Sequence, residues 1–310
     1  MTKDELISRL RPVTLGDKPR FDRCFSRYPP VVSELTFTNV FCWSEVRHHL
    51  FCEQERHLLI TYRQCDCCLS LYPPVGPEPA ALLRMRIEGL RDYCWTRLDK
   101  TLVASLGPGL RPALDRDNSD YVYRIHDLRA LRGKEYHGKR NLARRFEDVY
   151  RPDVRALTGA MAAACIRVQE EWLEGQRNNE SARDESTALI KALHNYVALS
   201  LQGIGVFSNG SLVAFAIGEP LNPTTFVEHF EKARPGYAGA YAYLLQAFAR
   251  SIPDAFEFLN REQDLGIEGL RRAKESWHPA MLVDKFTLRV GRPAAAEPLE
   301  KGGQELAGIS

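Results

Sequence analysis

Gly203-Ile204-Gly205-Val206-Phe207-Ser208-Asn209-Gly210-Ser211-Leu212-Val213-Ala214-Phe215-Ala216-Ile217-Gly218 decides the fold class. Two apolar runs meet at Asn209-Gly210, a dipeptide that tolerates the positive φ angles of a type I′ turn, so the stretch predicts an antiparallel hairpin. Ahead of it, helical spacing predicts helices over about 153–174 and 186–201, with a polar loop at 175–185. Behind it follow a strand at about 224–230, a helix at 238–251, a strand at 255–260, a helix at 265–276 and a strand at 281–289. Helices alternating with strands around a hairpin imply an α/β (α+β) domain, a mixed sheet flanked by helices.

Further out, Ser33-Glu34-Leu35-Thr36-Phe37-Thr38-Asn39-Val40-Phe41, leading to Trp43, reads as a helix or turn packed by aromatics. His57-Leu58-Leu59-Ile60-Thr61-Tyr62 and Cys68-Leu69-Ser70-Leu71-Tyr72 predict a second hairpin around a cysteine-rich turn, and Pro73-Pro74-Val75-Gly76-Pro77 ends it. Leu82, Leu83, Ile87, Leu90 and Tyr93 or Cys94 lie on one stripe, which predicts a helix over 80–98. Residues 107–119 are rich in turn formers and predict a loop, and 120–125 alternates as a strand. The first half thus has a shorter, similar pattern without visible repeat identity. The expected division is a domain over 1–128, a second over 129–290 and a flexible tail over 291–310.

Composition narrows the functional class. The 310 residues are 44% apolar and 26% charged, which excludes a disordered chain or a coiled-coil rod. With 42 Lys and Arg against 40 Asp and Glu, the net charge is +2, so any basic site must be local. No apolar run reaches the roughly 20 residues that a membrane span needs, so no integral membrane segment is expected. The opening MTKDELISRLRP lacks the apolar core of an export signal, which points to a cytoplasmic protein with reduced thiols. Cys65-Asp66-Cys67-Cys68 has no second ligand pair at zinc spacing, so these are expected to be plain thiols near a strand turn, and no metal site is predicted.

The element order of the C-terminal half is that of the GNAT acyltransferase fold. Three stretches add a family resemblance: Ser33 to Asn39 with Trp43; Asp120-Tyr121-Val122-Tyr123, Asp127-Leu128 and Leu131, with Gly133-Lys134-Glu135-Tyr136-His137-Gly138-Lys139-Arg140-Asn141 and Phe146; and Phe258-Leu259-Asn260-Arg261-Glu262-Gln263-Asp264-Leu265-Gly266-Ile267-Glu268-Gly269-Leu270-Arg271 with Ala273-Lys274 and His278-Pro279. Over about residues 10–289 the chain resembles the soluble family related to the C-terminal domain of bacterial phosphatidylglycerol lysyltransferase. The resemblance implies two tandem GNAT-like domains. It also implies kinship with enzymes that move an aminoacyl group from a charged tRNA to an amine or hydroxyl. The large membrane part of the lipid enzymes has no counterpart in the sequence, so the acceptor is expected to be a small molecule more than a lipid.

Several residues are candidates for that chemistry. Between Arg129 and Arg145 lie seven basic residues and one acid, a local charge of +6. Lys134, His137, Lys139, Arg140, Arg144 and Arg145 there could meet successive phosphates of tRNA, or form a solvated face. Asn260, Arg261, Glu262 and Asp264 follow an apolar strand, where polar groups open into the cleft of an α/β fold. Glu262 or Asp264 could deprotonate the attacking group or hold the donor's α-amino group, while Asp264 also suits a helix cap. Arg271 and Lys274 share a helix face and could hold a phosphate or the developing oxyanion, or pair with Glu262 or Glu268. His229 lies on an expected central strand as a core residue or a substrate contact. Tyr121 and Tyr123 alternate on one face, lining the cleft or packing the core.

Arg234-Pro235-Gly236-Tyr237-Ala238-Gly239-Ala240 partly matches the coenzyme A loop of GNAT acetyltransferases. Arg234, Gly239 and Ala240 fit, and Tyr237 stands where a glycine should allow close phosphate approach. Three readings follow: an acyltransferase using aminoacyl-tRNA as donor, with no separate cofactor; an N-acyltransferase using a coenzyme A thioester; and a pseudo-acyltransferase that binds RNA or protein through 129–145.

Overall fold

The computed structural model describes residues 3–65, 68–87, 93–176 and 179–289. They form two compact units. The first contains the described residues up to 120 with 263–267 and 283–289, and the second contains 121–262 and 268–282. The strands of one sheet are β1 (Arg11–Pro12), β2 (Leu50–Gln54), β3 (His57–Cys65), β4 (Cys68–Leu71), β5 (Cys94–Asp99) and β6 (Ala113–Leu114). Those of the other are β7 (Asp120–Arg124), β8 (Asp153–Ala156), β9 (Gln202–Ser208), β10 (Ser211–Asn222), β11 (Thr225–Ala233), β12 (Phe258–Asn260) and β13 (Met281–Val283); β14 (Lys285–Arg289) returns to the first. The orders are β1-β2-β3-β4-β5-β14-β6 and β13-β7-β12-β11-β10-β9-β8. Among the described residues no helix is long and apolar enough to cross a membrane.

In the first unit the expected second hairpin forms, β3 pairing antiparallel with β4 from Thr61↔Leu71 to Cys65↔Cys68. Asp66 and Cys67 of the cysteine turn lie outside the described residues. Cys24, Cys42, Cys52, Cys94 and Cys165 form no disulfide bond among the described residues. The helix expected over 80–98 stops early. It spans Pro79–Ile87, 88–92 lie outside the described residues, and Cys94–Asp99 is a strand. Trp95, Thr96, Arg97 and Leu98 are all buried, and a strand covered on both faces shows no alternation to set it apart from a helix. Within the expected loop 107–119, Ala113–Leu114 pairs with β14.

Ser33 and Glu34 belong to a buried charge cluster in this unit. The ammonium of Lys285, wholly buried, lies 2.5 Å from Glu34 Oε2 and 2.5 Å from Asp120 Oδ1. Arg97 lies 2.5 Å from Glu34 and 2.9 Å from Asp115. Burial alone pushes the Glu34 carboxyl up, but Lys285 and Arg97 outweigh it and hold the pKa down at about 2. The hydroxyl of Thr36 accepts from Asn39 N at 3.0 Å and so caps the helix Phe37–Cys42.

The second unit opens on the hairpin read from the sequence. Ser208 faces Ser211, and Asn209 and Gly210 take φ angles of 50° and 78°. The helix expected over 153–174 begins only at Ala162, because Asp153–Ala156 forms an exposed edge strand on β9. The expected loop 175–185 is helical from Glu180, and Asn179 Oδ1 caps that helix by accepting from Ala182 N; residues 177–178 lie outside the described residues. The single strand expected over 281–289 is two strands in different sheets. Residues 291–310, expected as a tail, lie outside the described residues.

Two irregularities position the site. A Cβ on Gly218 would collide with the carbonyl oxygen of Val227, so only glycine lets β10 and β11 approach there. At that point Ile217 faces Phe230 and Gly218 faces Glu228, which leaves His229 as the extra residue of a β-bulge. β11 and β12 run parallel only as far as Val227↔Asn260, whereas β11 continues to Ala233.

Candidate functional site

Where β11 and β12 part, the second unit gathers charged side chains from three strands and a helix. His229 is buried between two carboxylates, with Nδ1 2.9 Å from Glu262 Oε1 and Nε2 3.0 Å from Glu219 Oε1. Burial alone would pull its pKa down, but the two carboxylates outweigh it and raise it to about 9. At neutral pH the ring is therefore an imidazolium between two acids.

Arg261 fills the opening between the strands. Its Nε lies 2.5 Å from Glu228 Oε2, and its Nη2 bonds Glu231. Glu228 Oε1 and Glu231 Oε2 are buried without a hydrogen-bond partner among the described residues. Burial, together with the neighbouring Glu231 charge, raises the pKa of Glu228 against the pull of Arg261. Two carboxylates share one guanidinium, so the pocket retains unspent acceptor capacity.

Glu262 is held in an unusual backbone conformation, at φ 56° in the left-handed region that non-glycine residues avoid. Three bonds keep it there: Glu262 N donates to Asn260 Oδ1 at 2.8 Å, Tyr121 N donates to Glu262 O at 3.0 Å, and Arg261 N donates to Tyr121 O at 2.9 Å. Asn260 and Tyr121 are wholly buried, so the strain rests on rigid neighbours.

Lys274, on the helix Glu268–Glu275, donates to the carbonyl oxygen of Arg261 and lies 5.8 Å from the Tyr121 ring centre. Burial and then the Arg261 charge lower its pKa to about 8. Tyr123 OH donates to Lys274 O at 2.8 Å, and the Arg261 guanidinium lies 5.7 Å from the Tyr123 ring. Both tyrosines are buried floor beneath the cations. Arg271 sits on the same helix and is half-buried.

Asp264 is not part of this cluster. It belongs to the first unit, where its wholly buried carboxylate pairs with Arg116 at 3.1 Å and accepts from Gly266 N at 2.8 Å. That is turn-capping work, one of the two roles open from the sequence.

The basic run divides. Arg140 donates to the carbonyl oxygens of Leu131 and Gly133, and Arg129 bonds Ala249 O, Ile252 O and Asp254, so both brace the backbone. Lys139 lies 4.7 Å from the Trp277 ring, and burial and then Arg261 lower its pKa. His137 is near Asn141 at 3.4 Å. Lys134, Arg144 and Arg145 are exposed and make no ion pair among the described residues.

In the loop before the helix Ala240–Ser251, Arg234 pairs with Glu171 at 3.2 Å, and Ala240 N donates to Tyr237 O at 3.0 Å. Gly239, at φ 85°, turns its Cα toward the helix His137–Tyr150, where a Cβ would lie 2.5 Å from Leu142 O. Among the described residues no cluster of three or more His, Cys, Asp or Glu side chains is placed to hold a metal ion.

Sequence reading missed Glu219, Glu228, Glu231 and Trp277 as site residues. For the glutamates a signal existed: Phe226-Val227-Glu228-His229-Phe230-Glu231-Lys232-Ala233 puts four charged or titratable groups in an apolar strand, where burial demands partners.

The family described as phosphatidylglycerol lysyltransferase, C-terminal, matches residues 25–289. A conserved protein of unknown function from Bacteroides thetaiotaomicron is 31% identical, superposes with a TM-score of 0.84 and covers 91% of this chain and 99% of its own. The L-PGS structure from Bacillus licheniformis is 14% identical with a TM-score of 0.62, covering 90% of this chain and 93% of that one. FemX is 10% identical with a TM-score of 0.53, covering 90% and 96%. These likenesses show the expected fold class, two mixed α/β units. No curated protein matches the chain.

Proposed function

We propose a reaction from one premise: the chain belongs to the phosphatidylglycerol lysyltransferase C-terminal family, an acyltransferase-like family. The reaction is transfer of an aminoacyl group from aminoacyl-tRNA to the amine or hydroxyl of a small acceptor. The observation that carries this reading is the strained Glu262, whose carboxylate is fixed on the buried His229–Glu219 pair. Strain of this kind persists where the surroundings enforce it, and it clusters at active sites.

In this reading the acceptor's nitrogen or oxygen attacks the ester carbonyl, and Glu262 takes its proton. The C–N or C–O bond forms, the ester C–O bond breaks, and Glu262 returns the proton to the leaving ribose oxygen. His229 orients Glu262, with Glu219 fixing the far side of the ring. The Lys274 ammonium faces the oxyanion. The unpartnered oxygens of Glu228 and Glu231 receive the donor's α-ammonium group. Lys134, Arg144 and Arg145 meet tRNA phosphates.

The coenzyme A reading has less support, because Arg234 is already paired with Glu171 and Gly239 faces a neighbouring helix. The test is a salt-titrated binding and transfer assay with bulk aminoacyl-tRNA, beside melting shifts with coenzyme A. Salt-dependent binding of tRNA and loss of its aminoacyl group to an added amine are expected. A coenzyme A shift without tRNA binding would sink the proposal.

A further inference from the structure

The first unit holds a cavity of about 520 Å³ between the helix Lys18–Arg27 and the β2–β3 turn, and none of its residues belongs to the site above. Arg20, Arg23 and Arg27, three and four residues apart, share one helix face, and Arg56 reaches the cavity from the turn. The two wall carboxylates are taken: Glu53 pairs with Arg20 at 3.0 Å, and Glu55 pairs with Arg86. Arg23 and Arg56 make no hydrogen bond or ion pair among the described residues, and Arg27 has only the Tyr28 ring, 5.7 Å away. Three guanidiniums therefore line one cavity without a counter-ion.

The turn is an independent observation. Glu55 and Arg56 take φ angles of 49° and 66°, a two-residue turn of the type that normally carries Asn-Gly. Two left-handed non-glycine residues in succession are costly, and neighbouring groups enforce them. His57 Nδ1 lies 2.8 Å from Glu55 O, and its Nε2 lies 2.6 Å from Pro77 O. A Cβ on Gly76 would lie 2.5 Å from the His57 ring and 2.8 Å from Arg56 O, so only glycine permits this packing. A relaxed turn sequence would remove the strain but also the guanidinium.

We infer that this cavity binds a nucleoside diphosphate. Planar guanidinium forks match phosphate oxygens pairwise, and three unpaired cations balance the charge of a diphosphate. The volume suits a nucleoside-sized ligand, and the Tyr28 ring beside Arg27 offers a surface on which a base can stack.

The test is calorimetric titration of the full chain with ADP, pyrophosphate, adenosine and a short RNA oligonucleotide. ADP is expected to bind, with affinity falling as salt rises, and adenosine is not. R23A and R56G are each expected to weaken ADP binding about tenfold or more, the scale of one lost charge-assisted contact. R56G relieves the left-handed strain, so its melting temperature stays level or rises while binding falls, which separates ligand loss from unfolding. R155A, an exposed arginine paired with Asp153 in the second unit, leaves ADP binding unchanged. Absence of ADP binding at millimolar concentration, equal binding in R23A and R56G, or RNA binding without ADP or pyrophosphate binding each overturns the inference.

Discussion

Nδ1 of His229 lies 2.9 Å from Oε1 of Glu262, although 33 residues separate them. A bulge in β11 turns the imidazole out of strand register, and the end of β12 delivers the carboxylate at a left-handed residue. The pairing gives the Glu262 carboxylate a fixed direction, the geometric requirement of a proton-transfer group.

Glu262→Gln and Asp264→Asn should separate chemistry from architecture. The first keeps the shape and removes the proposed base, so on that proposal transfer falls about 10²–10⁴-fold with little change in melting temperature. The second weakens a buried pair with Arg116 and is expected to cost about 1–3 kcal/mol of stability, with activity per folded molecule retained. Single-turnover rates beside thermal melts check this, and a fully active Glu262→Gln enzyme removes Glu262 from the reaction.

The raised pKa of His229 predicts a pH dependence of stability. A group held above its ordinary value of 6.5 contributes fully below that pH and loses its contribution as pH rises through about 9. The stake is about 3 kcal/mol, from a shift of two to three pH units at 1.36 kcal/mol each. Lys274 acts with the opposite sign above about 8, and it is present in both proteins compared. Denaturant unfolding at pH 6.5 and 9.5 should show a loss in the wild type that is much smaller in His229→Gln. Equal losses would mean that the ring is not charged in the folded protein.

Lys274 should set the alkaline limb of activity. Its ammonium loses its proton as pH rises through about 8, so the oxyanion stabilisation proposed for it would fade there. Lys274→Arg is expected to move that limb upward, and Lys274→Met to cost about 10²–10³-fold in rate at neutral pH. An unchanged limb in the arginine variant would place the titration elsewhere.

The basic run should respond unevenly. Arg144→Glu and Arg145→Glu are exposed changes, expected to weaken tRNA binding and lower the salt slope by roughly one ion each without destabilising the fold. Arg140→Glu instead removes donors to the carbonyl oxygens of Leu131 and Gly133 and is expected to lower the melting temperature. Filter binding across a salt series reads the first pair, and calorimetric melts read the third.

Local patterns in the sequence determined the Asn209-Gly210 hairpin, the helix that begins at Ala240, the β7 strand and the family resemblance, because turn chemistry and periodicity act over a few neighbouring residues. They also placed Asn260, Arg261, Glu262, Lys274 and His229 among the candidates. Tertiary structure alone decided which of these meet. Glu262 faces His229, whereas Asp264, two residues further on, pairs with Arg116 in the other unit, a separation of 148 positions that no window could see. Long-range pairing also decided that Cys94–Asp99 is a strand, since its partners β4 and β14 lie far apart in the chain and bond it along both edges. It divided the basic run as well, because a cation's role depends on what its head reaches: Arg140 finds carbonyl oxygens, Lys139 an indole ring, and Arg144 and Arg145 water. Residue type and spacing set which groups are available, and the bulge at His229 and the parting of β11 from β12 set which stand within bonding distance.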